Sequence, residues 1–333
     1  MKNIKSLLIT GGTGSFGRTF TKYILENVPT IKRLVIFSRD ELKQHEMSQS
    51  INPKYLHKLR FFIGDVRDKP RVKTALENVE TVVHAAALKQ VPSAERNPFE
   101  VIKTNIIGAQ NLIEGCIENN VKKVVALSTD KAAGPINLYG ATKLCSDKLF
   151  TSARHYVGNR KIKFSVVRYG NVMGSRGSVL PVFLNLKGKN TFPITHESMT
   201  RFNISLNESV QSVIWAFNNM FGSEIFVPKI KSFKITDLAR AINFRCKFKI
   251  IGIRPGEKLH EEMVTKSDSI NCVDFGKYYG ILSPFSKYPI NKYCKIRKVK
   301  KVKEGFSYSS ENNGRFLTVL ELKEIVKKTR ILK

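Results

Sequence analysis

The sequence predicts an α/β protein built on a Rossmann-type, doubly wound parallel sheet, joined to a smaller mixed α/β substrate-binding cap. Three observations lead there. Short apolar runs alternate with amphipathic stretches through the first half of the chain, the rhythm of βαβ units. Most of those runs are continuously hydrophobic, as strands covered on both faces are. A glycine-rich turn follows the first run directly and leads into a helical pattern.

In order, strands are expected at Ser6–Thr10, Leu34–Ser38, Arg60–Asp65, Thr81–Ala86, Lys123–Thr129 and Lys163–Tyr169, with helices near 15–27, 40–50, 69–78, 99–119 and 137–157. Helical crossovers between parallel strands place the helices on both faces of the sheet. Beyond about residue 173 Pro and Gly become frequent and the helical patterns shorten. Residues 1–173 are therefore read as the Rossmann domain and 174–333 as mainly cap. The boundary is discontinuous, because a helix at Glu208–Phe221 and the EIFVP run, within 205–230, return to the main sheet.

A chain of 333 residues with 42% hydrophobic residues can bury one or two cores. Its 57 Lys and Arg against 27 Asp and Glu give a net charge of +30. That excess points to nucleic acid, an anionic membrane surface or an anionic small molecule, or else to a lysine-rich background. Residues 286–303 hold eight basic residues and no acidic one, yet most of the excess lies elsewhere, which favours background. No stretch approaches the ~18 apolar residues of a membrane span. The N-terminal apolar run is short and meets a glycine turn, so it reads as a strand and not a leader. Cys116, Cys145, Cys246, Cys272 and Cys294 include no CxxC pair and fit neither a disulfide framework nor a zinc site; a reducing cytosol is expected. His260-Glu261-Glu262 opens like a zincin motif but lacks the second histidine, and no metal is expected.

The first motif is Thr10-Gly11-Gly12-Thr13-Gly14-Ser15-Phe16-Gly17. Glycines at this spacing allow the sharp turn and the close approach of a pyrophosphate, which the helix N-terminus then attracts. The second strand ends in Ser38-Arg39-Asp40, with Lys43 one turn on. A ribose 2′-hydroxyl is usually met by a carboxylate at this tip, whereas Ser38, Arg39 and Lys43 suit a 2′-phosphate. NADP is favoured, and Asp40 leaves NAD open.

The second motif lies at the end of the fifth strand. Ser128-Thr129-Asp130-Lys131 is followed by Tyr139-Gly140-Ala141-Thr142-Lys143, which puts Tyr139 and Lys143 on one helical face. An ammonium beside a phenol favours phenolate, making Tyr139 a base for a sugar hydroxyl. Asp130-Lys131 adds two ionisable groups next to the hydride site.

This combination resembles the extended short-chain dehydrogenase/reductase superfamily. The segments SRDELKQ (38–44), GDVRD (64–68), HAAALKQVPSAERNP (84–98), LSTDKAAGPINLYGATKL (127–144), RYGNVMGSRGSVLP (168–181), MTRF (199–202), RPGEKLHEEM (254–263) and KEGFSYSSENN (303–313) narrow it. They are similar to the short, soluble, inverting UDP-N-acetylglucosamine 4,6-dehydratases. Tyr139 supports that group, since the long membrane-anchored relatives have Met there. Ala133-Gly134, Cys145 and the basic 286–303 segment depart from the pattern.

The resemblance implies an NADP-dependent hydro-lyase acting on UDP-N-acetylglucosamine in the cytoplasm, at the first step of a pseudaminic-acid-type or related surface-glycan pathway. It oxidises C4, eliminates water across C5 and C6 and returns the hydride to C6 with inversion at C5. It further implies a tightly held, recycled cofactor and a homo-oligomer based on dimers, up to a hexamer, with no nucleic-acid partner. By resemblance Lys131 is the C5 base and Asp130 protonates the departing hydroxyl. Lys131 must then be neutral, which burial and the nearby Lys143 and Lys89 would promote. Gly11, Thr13, Gly14, Ser15, Phe16, Gly17, Ser38, Arg39, Asp40, Lys43, Asp65, Val66, Ala85, Ala86, Ala87, Lys89, Tyr139, Lys143 and Val172 are expected around the cofactor. Lys89, Lys131, Asn171, Arg176, Gly177, Ser178, Val179, Thr195, Met199, Arg254 and Asn312 are expected around the UDP-sugar, Arg176 and Arg254 on its diphosphate. The alternatives are another NADP-dependent nucleotide-sugar epimerase or reductase and, more remotely, a non-catalytic nucleic-acid-binding protein on this scaffold.

Overall fold

The computed structural model describes residues 3–174, 179–186, 188–284 and 286–331, with side chains to residue 328. Six parallel strands form its centre: β1 (Ser6–Thr10), β2 (Arg33–Ser38), β3 (Leu59–Ile63), β4 (Thr81–His84), β5 (Lys123–Thr129) and β6 (Lys163–Tyr169). They lie in the order β3-β2-β1-β4-β5-β6. The chain thus reverses direction across the sheet between β1 and β4, and a crevice opens at their carboxyl ends. The apolar runs lie in the core, with Leu7, Ile9, Val35, Val82 and Val125 fully buried.

Helix Ser15–Asn27 follows β1, and Leu138–Ser152 lies between β5 and β6. The single helix expected at 99–119 is broken instead into Pro98–Ile102, a wider π turn at Lys103–Ile107, and Gly108–Glu118. The break has a use. It turns buried Asn105 so that its amide reaches the Leu88 backbone and the Thr142 hydroxyl, tying the 85–89 loop to the later helix.

Helix Leu206–Asn219 opens with a capping box of Ser205 and Glu208 and packs beside β5 and β6. Strand Glu224–Pro228 then pairs parallel to β6. Three further strands extend that side antiparallel: Tyr278–Leu282, Cys272–Asp274 and, at the edge, Lys300–Lys301, whose side chains are exposed. The sequence reading left these three in the cap. They are too short and too mixed in polarity to show a period.

A second core, with Phe183, Phe192, Met199, Phe233 and Leu238, belongs to the segment beyond β6. Its strand Thr200–Ile204 runs beside Asn171–Val172 and so abuts the carboxyl end of β6. Among the described residues no helix is long and apolar enough to cross a membrane.

Candidate active site

Between the carboxyl ends of the parallel strands and the second core lies a cleft of 930 Å³. Its floor is the glycine turn. Gly11 has φ +65°, and a Cβ there would come within 2.9 Å of the Ala86 backbone nitrogen. The Thr10 hydroxyl accepts from the Ala85 and Ala86 N–H groups at 3.2 Å each, locking the turn to the next strand end. Gly14 occupies the N-cap of helix Ser15–Asn27 and supplies no side-chain acceptor, so the first-turn N–H groups remain available to an anion in the cleft. This cradle fits a dinucleotide pyrophosphate.

At the β2 tip Asp40 is committed elsewhere. It caps helix Glu41–Ser50 by accepting from the Lys43 N–H at 3.0 Å, and it pairs with the Lys43 ammonium. The Ser38 hydroxyl accepts from Gln44 at 3.0 Å, and half-exposed Arg39 lies 3.6 Å from Asp65. Burial would raise the Asp65 pKa, but the hydrogen bonds and charge of Arg67 hold it low.

The chemistry sits at the end of β5. A short 3₁₀ turn, Asp130–Ala132, carries Asp130 and Lys131, and helix Leu138–Ser152 presents Tyr139 and Lys143. Gly140 makes their proximity possible, since a Cβ there would lie 2.2 Å from the Lys131 carbonyl oxygen. The helix start is fixed by Asn137, which accepts from the Gly140 N–H at 2.8 Å and donates to the Gly256 carbonyl at 2.7 Å. Further along, buried Asp147 accepts from Ser128 at 2.8 Å and from Arg168 at 3.1 Å, binding the helix to β5 and β6.

Lys131 is held between two carboxylates, with Nζ 3.1 Å from Asp130 Oδ1 and 2.9 Å from Glu261 Oε1. Burial disfavours its cation, but the two carboxylates outweigh burial and raise its pKa above the ordinary lysine value. The resting cleft thus favours the charged form of Lys131, where the sequence led to a neutral one. Lys89 and Lys143 do shift downward, both through burial. Tyr139 also departs from expectation: burial pushes it up to about 12, and the leading cation opposing this is Lys131, not Lys143. Asp130 is fully buried, which raises its pKa and favours the neutral acid.

Every residue read from the sequence as cofactor-lining does line this cleft, as do Lys131, Asn171, Val179, Thr195, Met199 and Arg254. Asp130 does not. It touches Lys131 and accepts from the Thr129 hydroxyl at 2.9 Å, and both of those neighbours face the cleft. Asn312 is not a lining residue either; its side chain closes a turn with Ser307 and Ser309. Arg176, Gly177 and Ser178 lie outside the described residues. Sequence reasoning gave no role to Thr129, Asn105, Arg201 or Glu261. For the last, the signal was the RPGEKLHEEM segment itself, in which Glu261 was considered only as part of a zinc motif.

The family described as "Polysaccharide biosynthesis protein" matches residues 7–283. The chain belongs to this family. Within the polysaccharide biosynthesis proteins, it is 54% identical to the inverting UDP-N-acetylglucosamine 4,6-dehydratase of Campylobacter jejuni, over 99% of each chain. It is 43% identical to a protein of Rickettsia bellii named UDP-glucose 4-epimerase, over 97% of this chain and 95% of that one. Among solved structures, Pen from Bacillus thuringiensis superposes with a TM-score of 0.87 at 35% identity, covering 99% of both chains. The dTDP-glucose 4,6-dehydratase DesIV of Streptomyces venezuelae, solved with NAD and TYD, shares the fold at TM-score 0.66 and 20% identity, over 76% of this chain and 86% of that one.

Proposed function

We infer that this chain is an inverting UDP-N-acetylglucosamine 4,6-dehydratase, a hydro-lyase opening a pseudaminic-acid-type glycan pathway. The observation that carries the reading is that Lys131 and Tyr139, on elements that Gly140 lets meet closely, line the same cleft as the phosphate cradle. Full-length identity of 54% to the Campylobacter jejuni enzyme supports it.

Gly11, Thr13–Gly17 and the tip of β2 would hold a nicotinamide dinucleotide, which when bound would supply a hydride acceptor for C4 and a hydride donor for C6. NADP is favoured over NAD because Ser38, Arg39 and Lys43 line its 2′ side while Asp40 serves as a helix cap. Tyr139 receives the C4 hydroxyl proton once its own phenol proton has left to solvent, and Lys143, one helical turn on, orients the ribose. The C4 ketone acidifies the C5 proton, which Lys131 removes once it has lost its own. Asp130, whose pKa burial raises, gives its proton to the C6 hydroxyl through the Thr129 hydroxyl, and the C6–O bond breaks to release water. Arg254 holds the diphosphate, and Asn171, Val179, Thr195 and Met199 the rest of the nucleotide sugar.

The test is incubation with UDP-N-acetylglucosamine in deuterated water, followed by NMR. A 6-deoxy-4-keto product with deuterium at C5 in inverted configuration is expected. The Rickettsia bellii match favours a second reading, and a C4 epimer formed without loss of water would establish that one instead.

A further inference from the structure

The residue assigned as C5 base is ion-paired on both sides in the resting cleft, an arrangement that favours its ammonium form, and an ammonium ion accepts no proton. Its two carboxylate neighbours are differently placed. Asp130 comes from the same turn and is shielded from the cleft. Glu261 comes from the opposite wall, is buried, and still lines the cleft.

Glu261 is built into position. Its N–H donates to the Ser310 hydroxyl at 2.9 Å, and its carbonyl accepts from the Ser310 N–H at 2.7 Å. Arg201, also buried, donates to the Leu259 and Lys258 carbonyls at 3.0 Å and to Glu257 at 3.1 Å, clamping the approach to residue 261. Arg201 Nε lies 3.9 Å from Glu261 Oε1. The second oxygen, Oε2, is buried without a hydrogen-bond partner, as is Oδ2 of Asp130. Glu261 therefore flanks the lysine with acceptor capacity to spare, and the free Asp130 oxygen has room for the proton it is to give. The other titratable and charged groups facing this cluster are Lys89, Tyr139, Arg201 and Lys258.

We propose that Glu261 is the positioning residue that arms Lys131, accepting its proton across their 2.9 Å contact so that the amine forms without releasing a proton to solvent. This rests on the dehydratase reading. The protons balance. One Lys131 N–H bond breaks and an O–H bond forms on Glu261, leaving amine and carboxylic acid. The amine takes the C5 proton while Asp130 gives its own to the departing hydroxyl. Lys131, again an ammonium, then passes a proton to the Asp130 carboxylate and takes the one held by Glu261. The starting state of these three groups is restored, and the proton lost by the C4 hydroxyl to Tyr139 balances the one that C5 regains in the product.

An internal transfer of this kind does not depend on bulk pH between the ionisations of its two partners, whereas loss of the lysine proton to water does. The test is the pH dependence of C5 deuterium incorporation by the cofactor-loaded enzyme, wild type against E261Q and E261D. A wild-type profile flat through neutrality is expected. E261Q should gain a limb rising tenfold per pH unit to a plateau, about 10²-fold slow at its acid end, while reduced cofactor still appears on mixing with substrate. E261D should restore the flat profile. A uniform loss in E261Q at every pH, an unchanged rate or a faster one overturns the relay. A wild type that incorporates no deuterium at C5 sinks the dehydratase reading along with it.

Discussion

On the wall of the cleft formed by the parallel strands, each functional side chain sits at a strand end or on the helix that follows. Gly11 to Gly17 follow β1, Ser38 and Arg39 end or follow β2, and Asp130 and Lys131 follow β5. On the opposite wall, Met199, Arg254 and Glu261 sit in connections between short elements, and side-chain clamps such as Arg201 and Asn137 hold those connections in place. The first wall is positioned by backbone ladders that form whatever the ligand. The second is positioned by a few polar contacts between residues far apart in the chain, so single substitutions there move the geometry without unravelling an element.

The strongest challenge to the first wall is Lys131→Ala. Dehydration, followed by NMR, should fall about 10³-fold with cofactor still bound; a loss below tenfold would move the base to the other wall. Arg39→Ser acts at the rim of the same wall. It should weaken NADP binding roughly 10- to 100-fold and leave NAD unchanged in a titration, the worth of a charge-assisted phosphate contact. Equal weakening of both dinucleotides would detach Arg39 from the 2′ position. The smallest effect is expected from Asn312→Ala. With its side chain spent on Ser307 and Ser309, the KM for the nucleotide sugar should stay within about twofold. A tenfold rise would bring that turn onto the substrate and make the second wall larger than described.

The same contrast explains what could be read in advance. β5 and β6 fall where the apolar runs put them, and the glycine turn lies between strand and helix as its spacing requires. These features depend on near neighbours in sequence. The charge of Lys131 depends on more: Asp130 beside it and Glu261, which no local pattern brings to β5, together outweigh burial and favour the ammonium over the neutral lysine expected from burial and nearby cations. The π turn was hidden for a related reason. An apolar period from 99 to 119 continues through it, and the break shows only in the backbone, where the Gly108 N–H reaches back five residues to the Lys103 carbonyl.

The exposed strand Lys300–Lys301 gives part of the charge excess a role that needs no ligand. An open sheet edge is a template on which another chain can add a strand. Here the template is two residues long and carries two ammonium groups, in a segment with no acidic residue to neutralise them. A second copy approaching edge to edge meets like charge before it meets a hydrogen bond. The consequence is colloidal: the sheet stops at its tenth described strand, and crowded copies are kept from fusing along it.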